Sequence, residues 1–299
     1  MITGRKHVLA CFTMDVERVQ SFSPGGGPGT IEISQRAMAS YADLLESRGF
    51  KATFFIVPNA AVDHPGVVQD LRRRGHECGM HFHANSFETN YKIKGIKSIG
   101  CQAIDQQREW LSTGKEMFEH SVDFEPQCFR GGFFSANQDT YQVLIELGIT
   151  SGSTSLPGRY WKARHSLWRK VPCWIHVMKA EDHPGFIEVP VTSHVNLLGL
   201  LTPHGDVRFE NEPSVARVFH AVKQCLLVQQ KANAHVYHVC FLTHNSFDYG
   251  TGTFLSMPNK RGVVEAILDN LPTALDHLGF ELVPATVPEA AARFRESNA

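Results

Sequence analysis

His76-Glu-Cys-Gly-Met-His-Phe-His83 follows a helix-patterned stretch, Pro65 to Arg74, and one glycine, Gly75, and it runs on into Ala-Asn85-Ser. Read as a strand, it alternates faces with a period of two, so His81 and His83 turn their rings the same way. A helix, a glycine stop and then a strand make the repeating step of an α/β chain. Two neutral imidazoles aimed at one point form half of a zinc-type site, which a carboxylate or a third nitrogen would complete. The bland alternative is that one ring packs and the other faces water.

The same step recurs on both sides. Toward the amino end, His7-Val-Leu-Ala-Cys-Phe-Thr13 is a short apolar run with the look of a buried parallel strand. It ends in Met14-Asp15-Val-Glu17, a source for the missing carboxylate. A helix over Ile33 to Arg48 stops at Gly49, and Ala52 to Val57 is the second strand. Beyond His83 a long helical segment, roughly Ile96 to Phe118, leads to a strand at Gln127-Cys-Phe-Arg130. Asn137 is placed to cap a helix from Gln138 to Leu147. Weak strand character over Ile149 to Ser155 precedes Trp161 to Ala180, which has no clear period and reads as an irregular insertion over the site. Phe186 to Thr192 alternates as a strand. Glu212-Pro-Ser214 opens a helix to about Gln230, and Val236 to Leu242 is a strand that delivers Thr243-His244-Asn245-Ser246. A helix from Arg261 to Leu278, a strand at Phe280 to Val283 and a helical tail finish the chain. About seven alternations without an internal repeat predict a parallel sheet wrapped by helices, a (β/α) barrel formed as one domain over residues 1–299.

Apolar residues at 42% and charged residues at 20% suit a chain with a sizeable core, and a net charge of −1 argues against nucleic acid or an anionic membrane as partner. The Arg72-Arg-Arg74 run reads as a solvated helix end. Ser23-Pro-Gly-Gly-Gly-Pro-Gly29 lacks the Lys-Ser/Thr and the spacing of a nucleotide loop, so it reads as a plain loop. Seven cysteines with no CxxC suit a reducing compartment. The amino end lacks the look of a signal peptide, and no run reaches the roughly 20 apolar residues of a membrane span, so a cytoplasmic location is expected. The oligomeric state is left open.

Polar groups collect at the carboxyl ends of the strands, where such a barrel places its active site: Asp15, Glu17, His81, His83, Asn85, Arg130 and His244. A carboxylate and two imidazoles can hold a divalent metal with one position left for water. A second carboxylate can take the water's proton, a histidine opposite can protonate the leaving group, and Arg130 can orient the base. This is equipment for hydrolysing an amide or ester without a covalent intermediate.

The order of these motifs resembles the polysaccharide deacetylases, the NodB-like carbohydrate esterases, over about residues 8 to 250. Thr13-Met-Asp15-Val-Glu17 resembles the family's first motif in an Asp-x-acid form, and Gly75 to Asn85 resembles its histidine motif. Phe129-Arg130-Gly-Gly-Phe133 resembles the arginine motif, Ile187-Glu-Val-Pro190 the segment leading to the far wall, and Leu242-Thr-His244 the last motif. The resemblance implies a distorted (β/α)7 barrel with Asp15 as general base, Glu17 and His81 as metal ligands, Arg130 orienting the base and His244 as acid. It also implies an oxyanion donor in the backbone near Gly132 or Phe133. The family's second metal histidine falls at Asn85, which leaves three readings: His83 completes the set, the Asn85 side-chain oxygen does, or no metal is bound. Glu17 carries one methylene more than the family's Asp, and Gly131-Gly132 replaces the family's proline, which predicts a less rigid loop.

The function so implied is a metal-dependent hydrolase, zinc being the expected ion, that removes an N-acetyl group from a sugar or glycan precursor. Given a cytoplasmic location, that precursor would be nucleotide- or lipid-linked rather than a finished polymer. A metal-free amide hydrolase on the same fold and a non-catalytic carbohydrate-binding protein are the alternatives. Glu188, Asp182 and His183 lie toward the far wall as possible substrate contacts. Tyr160, Trp161, Trp168 and Trp174 would either stack on sugar rings or simply cover the barrel mouth.

Overall fold

The longest strand, β1 (Lys6–Val16), carries neighbours on both edges. After it come α1 (Ile31–Glu46), β2 (Ala52–Ile56), α2 (Pro58–Asp63), α3 (Pro65–Arg73), β3 (Glu77–Phe82), α4 (Ala84–Phe87) and α5 (Ile104–Val122). Next are β4 (Phe129–Gly131), α6 (Gln138–Glu146), β5 (Ser151–Gly152), the small hairpin β6 (Tyr160–Trp161) and β7 (Ser166–Leu167), β8 (His176–Met178) and β9 (Phe186–Glu188). The chain ends with β10 (Ser193–Val195), β11 (Leu201–Asp206), α7 (Val215–Lys231), β12 (Tyr237–His244), α8 (Arg261–Asp276), β13 (Phe280–Pro284) and α9 (Val287–Ser297). This computed structural model describes residues 5–23, 26–87, 98–178, 185–195, 201–210, 214–252, 254 and 257–298, with only the backbone at 85, 86, 194, 195 and 201–206.

Seven strands run parallel in the order β12-β1-β2-β3-β4-β5-β9, and β8 adds an antiparallel edge on β9. The sheet curls until its ends meet. The Thr192 N–H donates to the Cys240 carbonyl at 2.9 Å, and the Cys240 N–H returns to Thr192 Oγ1 at 2.9 Å. The result is a distorted (β/α)7 barrel. β13 and β2 share the other edge of β1: β13 pairs with residues 6–10 and β2 with residues 12–16.

Side-chain alternation on β1 shows how the layers form. Val8, Ala10, Phe12, Met14 and Val16 belong to an outer core with Met38, Tyr41 and Leu45 of α1 and Ile267 and Leu271 of α8. Full burial of each large apolar side chain there contributes about 1.5–3 kcal/mol. Leu9 and Cys11 face inward, into a second core shared with Ile187, Cys240 and Ala290. α9 closes the amino-terminal end of the barrel. The Val287 N–H donates to Thr53 Oγ1 at 2.9 Å, and Cys11 Sγ lies 3.7 Å from the Thr286 carbonyl. The carboxyl-terminal end stays open.

Caps set the helix starts where the sequence places them. Asn137 accepts from the Thr140 N–H in a reciprocal capping box, and Ser214 caps α7. Two readings are corrected. Residues 161–180 are not wholly irregular, because β8 pairs with β9 and β6 with β7. The arginines at the end of α3 are not merely solvated: Arg72 holds Glu77, and Arg74 bridges Asp43 and Glu46. No helix among the described residues is long and apolar enough to cross a membrane.

Candidate active site

The inward face of β1 continues from Leu9 and Cys11 to Thr13 and Asp15, with Glu17 one step past the strand. Period-two alternation therefore sends both acids to the open end of the barrel. Asn245, just after β12, fixes the backbone of Glu17 from both sides. Its Oδ1 accepts from the Glu17 N–H at 2.9 Å, and its Nδ2 donates to the Glu17 carbonyl at 2.8 Å. β3 brings His81 and His83 to the same level.

Arg130, at the end of β4, is fully buried. Its Nη1 donates to Asp15 Oδ1 at 2.7 Å and to Thr13 Oγ1 at 2.8 Å, its Nε and Nη2 reach Ser153, and its plane covers the Phe55 ring at 4.2 Å. Burial pushes the Asp15 carboxyl up, but Arg130 first, then His81 and His244, outweigh burial and hold it below its ordinary value. This buried charge is compensated at each contact, as a buried guanidinium requires.

Glu17, His81 and His83 form the tightest cluster. His83 Nε2 is 2.9 Å and His81 Nε2 3.3 Å from Glu17 Oε1, and the two Nε2 atoms are 3.1 Å apart. The His81 Nδ1 faces the Arg130 carbonyl at 2.8 Å; a carbonyl only accepts, so Nδ1 carries the proton and the Nε2 lone pair points at the cluster. Burial opposes charge on Glu17, yet His83 and His81 pull its carboxyl well below the ordinary range. His81 is raised in turn, against burial, by Asp15 and Glu17. Glu17 Oε2 is buried and meets no hydrogen-bond donor among the described residues. One donor atom from each of the three residues lies within 4.8 Å of the others. Two imidazole nitrogens and a carboxylate with one unbonded oxygen converge on one point, and the set fits a divalent cation of the zinc type.

Opposite stands His244, at the end of β12. Its Nδ1 is bonded to Glu210, whose other oxygen accepts from Thr243 Oγ1 at 2.9 Å. Thr243 in turn accepts from the Tyr249 hydroxyl, since its own proton is committed to the carboxylate. Burial would depress His244, but Glu210 raises it above the ordinary histidine value. Glu210 is absent from the sequence-level candidates. Its only signal is the four-residue alternation Val207-Arg-Phe-Glu210: Val207 and Phe209 are buried in the outer core, while Arg208 and Glu210 face the pocket along β12.

Asp15, Glu17, His81, His83, Glu210 and His244 line a pocket of about 420 Å³ with Phe133, Arg159, Trp161, Arg208 and Phe247. The Gly131-Gly132 turn is a close fit rather than a loose one. A Cβ on Gly131 would meet the Ser135 carbonyl oxygen at 2.1 Å, and a Cβ on Gly132 would meet the His83 ring at 2.4 Å. Phe133 and Phe134 then adopt left-handed backbone, φ 58° and 56°, which costs of order 1–3 kcal/mol each and aims Phe133 into the pocket. The Phe133 ring lies edge-on to His83 at 4.6 Å.

The structure thus brings together Asp15, Glu17, His81, His83, Arg130 and His244; the side chain of Asn85 lies outside the described residues, as do Asp182 and His183. Glu188 is corrected to a structural role: it is fully buried, and its carboxylate accepts the N–H groups of Thr154 and Ser155. The insertion's aromatics divide. Trp161 lines the pocket, whereas Trp168 is buried and donates to the Phe134 carbonyl at 2.7 Å.

Residues 27–152 match the family model of polysaccharide deacetylases. No curated protein matches the chain in sequence. A Mycobacterium smegmatis protein assigned to the polysaccharide deacetylases superposes with a TM-score of 0.63 at 16% identity, over 100% of this chain and 93% of that one. A Pseudomonas aeruginosa PAO1 protein with the same assignment gives 0.58 at 14%, over 97% and 91%. The PuuE allantoinase gives 0.59 at 13%, over 98% and 92%. At these identities the structures attest the fold alone. The family match runs from α1 to β5, and the seven parallel strands form the same barrel as these structures, so the chain resembles the polysaccharide deacetylase, or NodB-like, family over that stretch and in fold.

Proposed function

We propose that the protein is a metal-dependent hydrolase that removes an acetyl or related acyl group from the nitrogen of a sugar. The observation that carries this reading is the convergence of Glu17, His81 and His83 within 4.8 Å beside Asp15, whose carboxylate Arg130 holds at 2.7 Å. Those three side chains would hold the cation, zinc being the ion their nitrogen and oxygen donors suit. Bound there, a divalent ion supplies Lewis acidity, which polarises the acyl carbonyl and makes a nearby water more acidic.

The remaining work falls to this chain's own residues. Arg130 holds Asp15 Oδ1, so the carboxylate presents Oδ2 toward the cluster, positioned to take a proton from the attacking water. Glu210 holds His244 Nδ1 and favours its imidazolium, so Nε2 is the nitrogen that would hand a proton to the leaving amine. Phe133 and Trp161 offer apolar faces to a sugar ring, and the polar cluster below them sets which group is cut.

The test is turnover of a panel of N-acetylated sugars by chelator-treated protein with and without added zinc. Zinc-dependent release of acetate, reduced about 10²–10⁴-fold in Asp15→Asn, is expected. Turnover that survives exhaustive chelation would favour a metal-free amide hydrolase. No turnover of any acylated sugar, with ligand binding intact, would leave a carbohydrate-binding protein.

A further inference from the structure

Residues 159–170 read Arg-Tyr-Trp-Lys-Ala-Arg-His-Ser-Leu-Trp-Arg-Lys: five cations, three aromatics and no acid in twelve positions of a chain whose net charge is −1. They form the β6–β7 hairpin and its flanks at the pocket mouth, to which Arg159 and Trp161 contribute wall. Arg164 lies over the Phe133 ring at 4.2 Å and 5.7 Å from Trp161. Arg159 covers Trp161 at 5.1 Å, and Arg169 covers Tyr160 at 4.7 Å. A stacked guanidinium keeps its flat face on the ring and its N–H edge open to an anion.

Elsewhere, among the described residues, most arginines are matched with acids. Arg5, Arg18, Arg36, Arg48, Arg74 and Arg108 each hold a carboxylate. Lys162, Arg164, Arg169 and Lys170 have no ion pair among the described residues. The surplus is also directed, not scattered: one aromatic ring, Phe133, separates the Arg164 guanidinium from the imidazole of His83. A basic loop that merely kept the surface solvated would have no reason to lie on the aromatic wall of the pocket.

We propose that this hairpin recognises a phosphate or diphosphate attached to the acylated sugar, so that the substrate class is a phosphate-linked sugar rather than a neutral polysaccharide. The inference rests on the reading of the pocket as an acyl-sugar site. A sugar seated against Phe133 and Trp161 with its acyl group at Glu17, His81 and His83 would leave its other end at the hairpin, where Lys162 and Arg164 meet the anion. Nucleotide-linked and lipid-linked sugars share that chemistry.

The experiment is calorimetric titration of the zinc-loaded full-length protein with methyl N-acetylglucosaminide, N-acetylglucosamine 1-phosphate, UDP-N-acetylglucosamine and a detergent-solubilised polyprenyl diphosphate-linked N-acetylglucosamine. Phosphate-bearing probes should bind at least tenfold more tightly than the neutral sugar. That ratio should shrink with added salt and approach one in the folded double variant K162Q/R164Q. The better of the nucleotide and lipid probes identifies the source of the phosphate. Equal binding of neutral and phosphorylated sugars, or a preference unchanged in the double variant, overturns the proposal. Acetate release is followed in parallel. A phosphate preference without turnover would refute the hydrolase reading and leave the recognition surface standing, whereas Asp15-dependent turnover without the preference would do the reverse.

Discussion

Gly132 lies so close beneath the imidazole of His83 that a methyl group on it would fall 2.4 Å from Cγ and 2.5 Å from Nδ1 and Cδ2 of that ring. His83 can turn toward Glu17 only because residue 132 has no side chain. Gly132→Ala should therefore displace His83, as an overpacked core position displaces its neighbours, at a cost of about 1–3 kcal/mol. With His83 among the ligands, zinc affinity should fall about 10–100-fold, the usual effect of disturbing a ligand's support. Competition against a chelating dye measures it. Unaltered zinc affinity in a folded variant would remove His83 from the ligand set.

The same ligand set predicts which substitutions abolish metal stabilisation. Saturating zinc at 100 times Kd should stabilise chelator-treated wild-type protein by about 2.7 kcal/mol. His81→Ala and His83→Ala should lose that gain, while Asn85→Ala should keep most of it. Thermal melts with and without zinc decide the matter. A gain lost in Asn85→Ala and retained in His83→Ala would place the third ligand at residue 85.

How much of this was legible beforehand depends on period and length. Asp15, Glu17, His81 and His83 were readable because each pair is spaced by two at the end of an apolar strand, where alternation fixes the facing side. Arg130 and His244 followed from the same rule on β4 and β12. Glu210 was not, because the segment that carries it meets β12 over only a few residues, too short for a pattern to stand out. The glycine pair at 131–132 misled for a different reason. Sequence shows the absence of a side chain as freedom, whereas here that space is filled by the ring of His83 and the carbonyl of Ser135. Glu188 was misread because its partners are backbone N–H groups, which no spacing of side chains reveals.

Arg130 and Asp15 should prove thermodynamically coupled. Arg130→Met strips the buried Asp15 carboxylate of its main counter-charge and leaves Thr13 and Ser153 without their donor. Removing one partner of such a buried pair costs about 3–5 kcal/mol. Denaturant unfolding of R130M, D15N and the double variant forms a cycle in which the double variant is less destabilised than the sum of the singles. Strict additivity would mean that the 2.7 Å contact carries no net energy.

The Glu210–His244 contact sets the direction of a pH effect. Glu210 stabilises the charged imidazole and raises its pKa against the opposing effect of burial, so the proton-donating form of His244 persists to higher pH than an isolated buried histidine would allow. Glu210→Gln removes the negative charge but keeps an acceptor for the ring N–H. His244 then loses its proton at lower pH, and the alkaline limb of kcat should move downward while the acid limb, governed by Asp15, stays in place. Thr243→Val, which takes away the hydrogen bond to Glu210 without touching the histidine, should shift the same limb in a smaller step. A pH–rate profile on one N-acetylated substrate measures both. If Glu210→Gln lowered kcat equally at every pH, the contact would serve only to place the ring, and the proton for the leaving group would have to come from another donor.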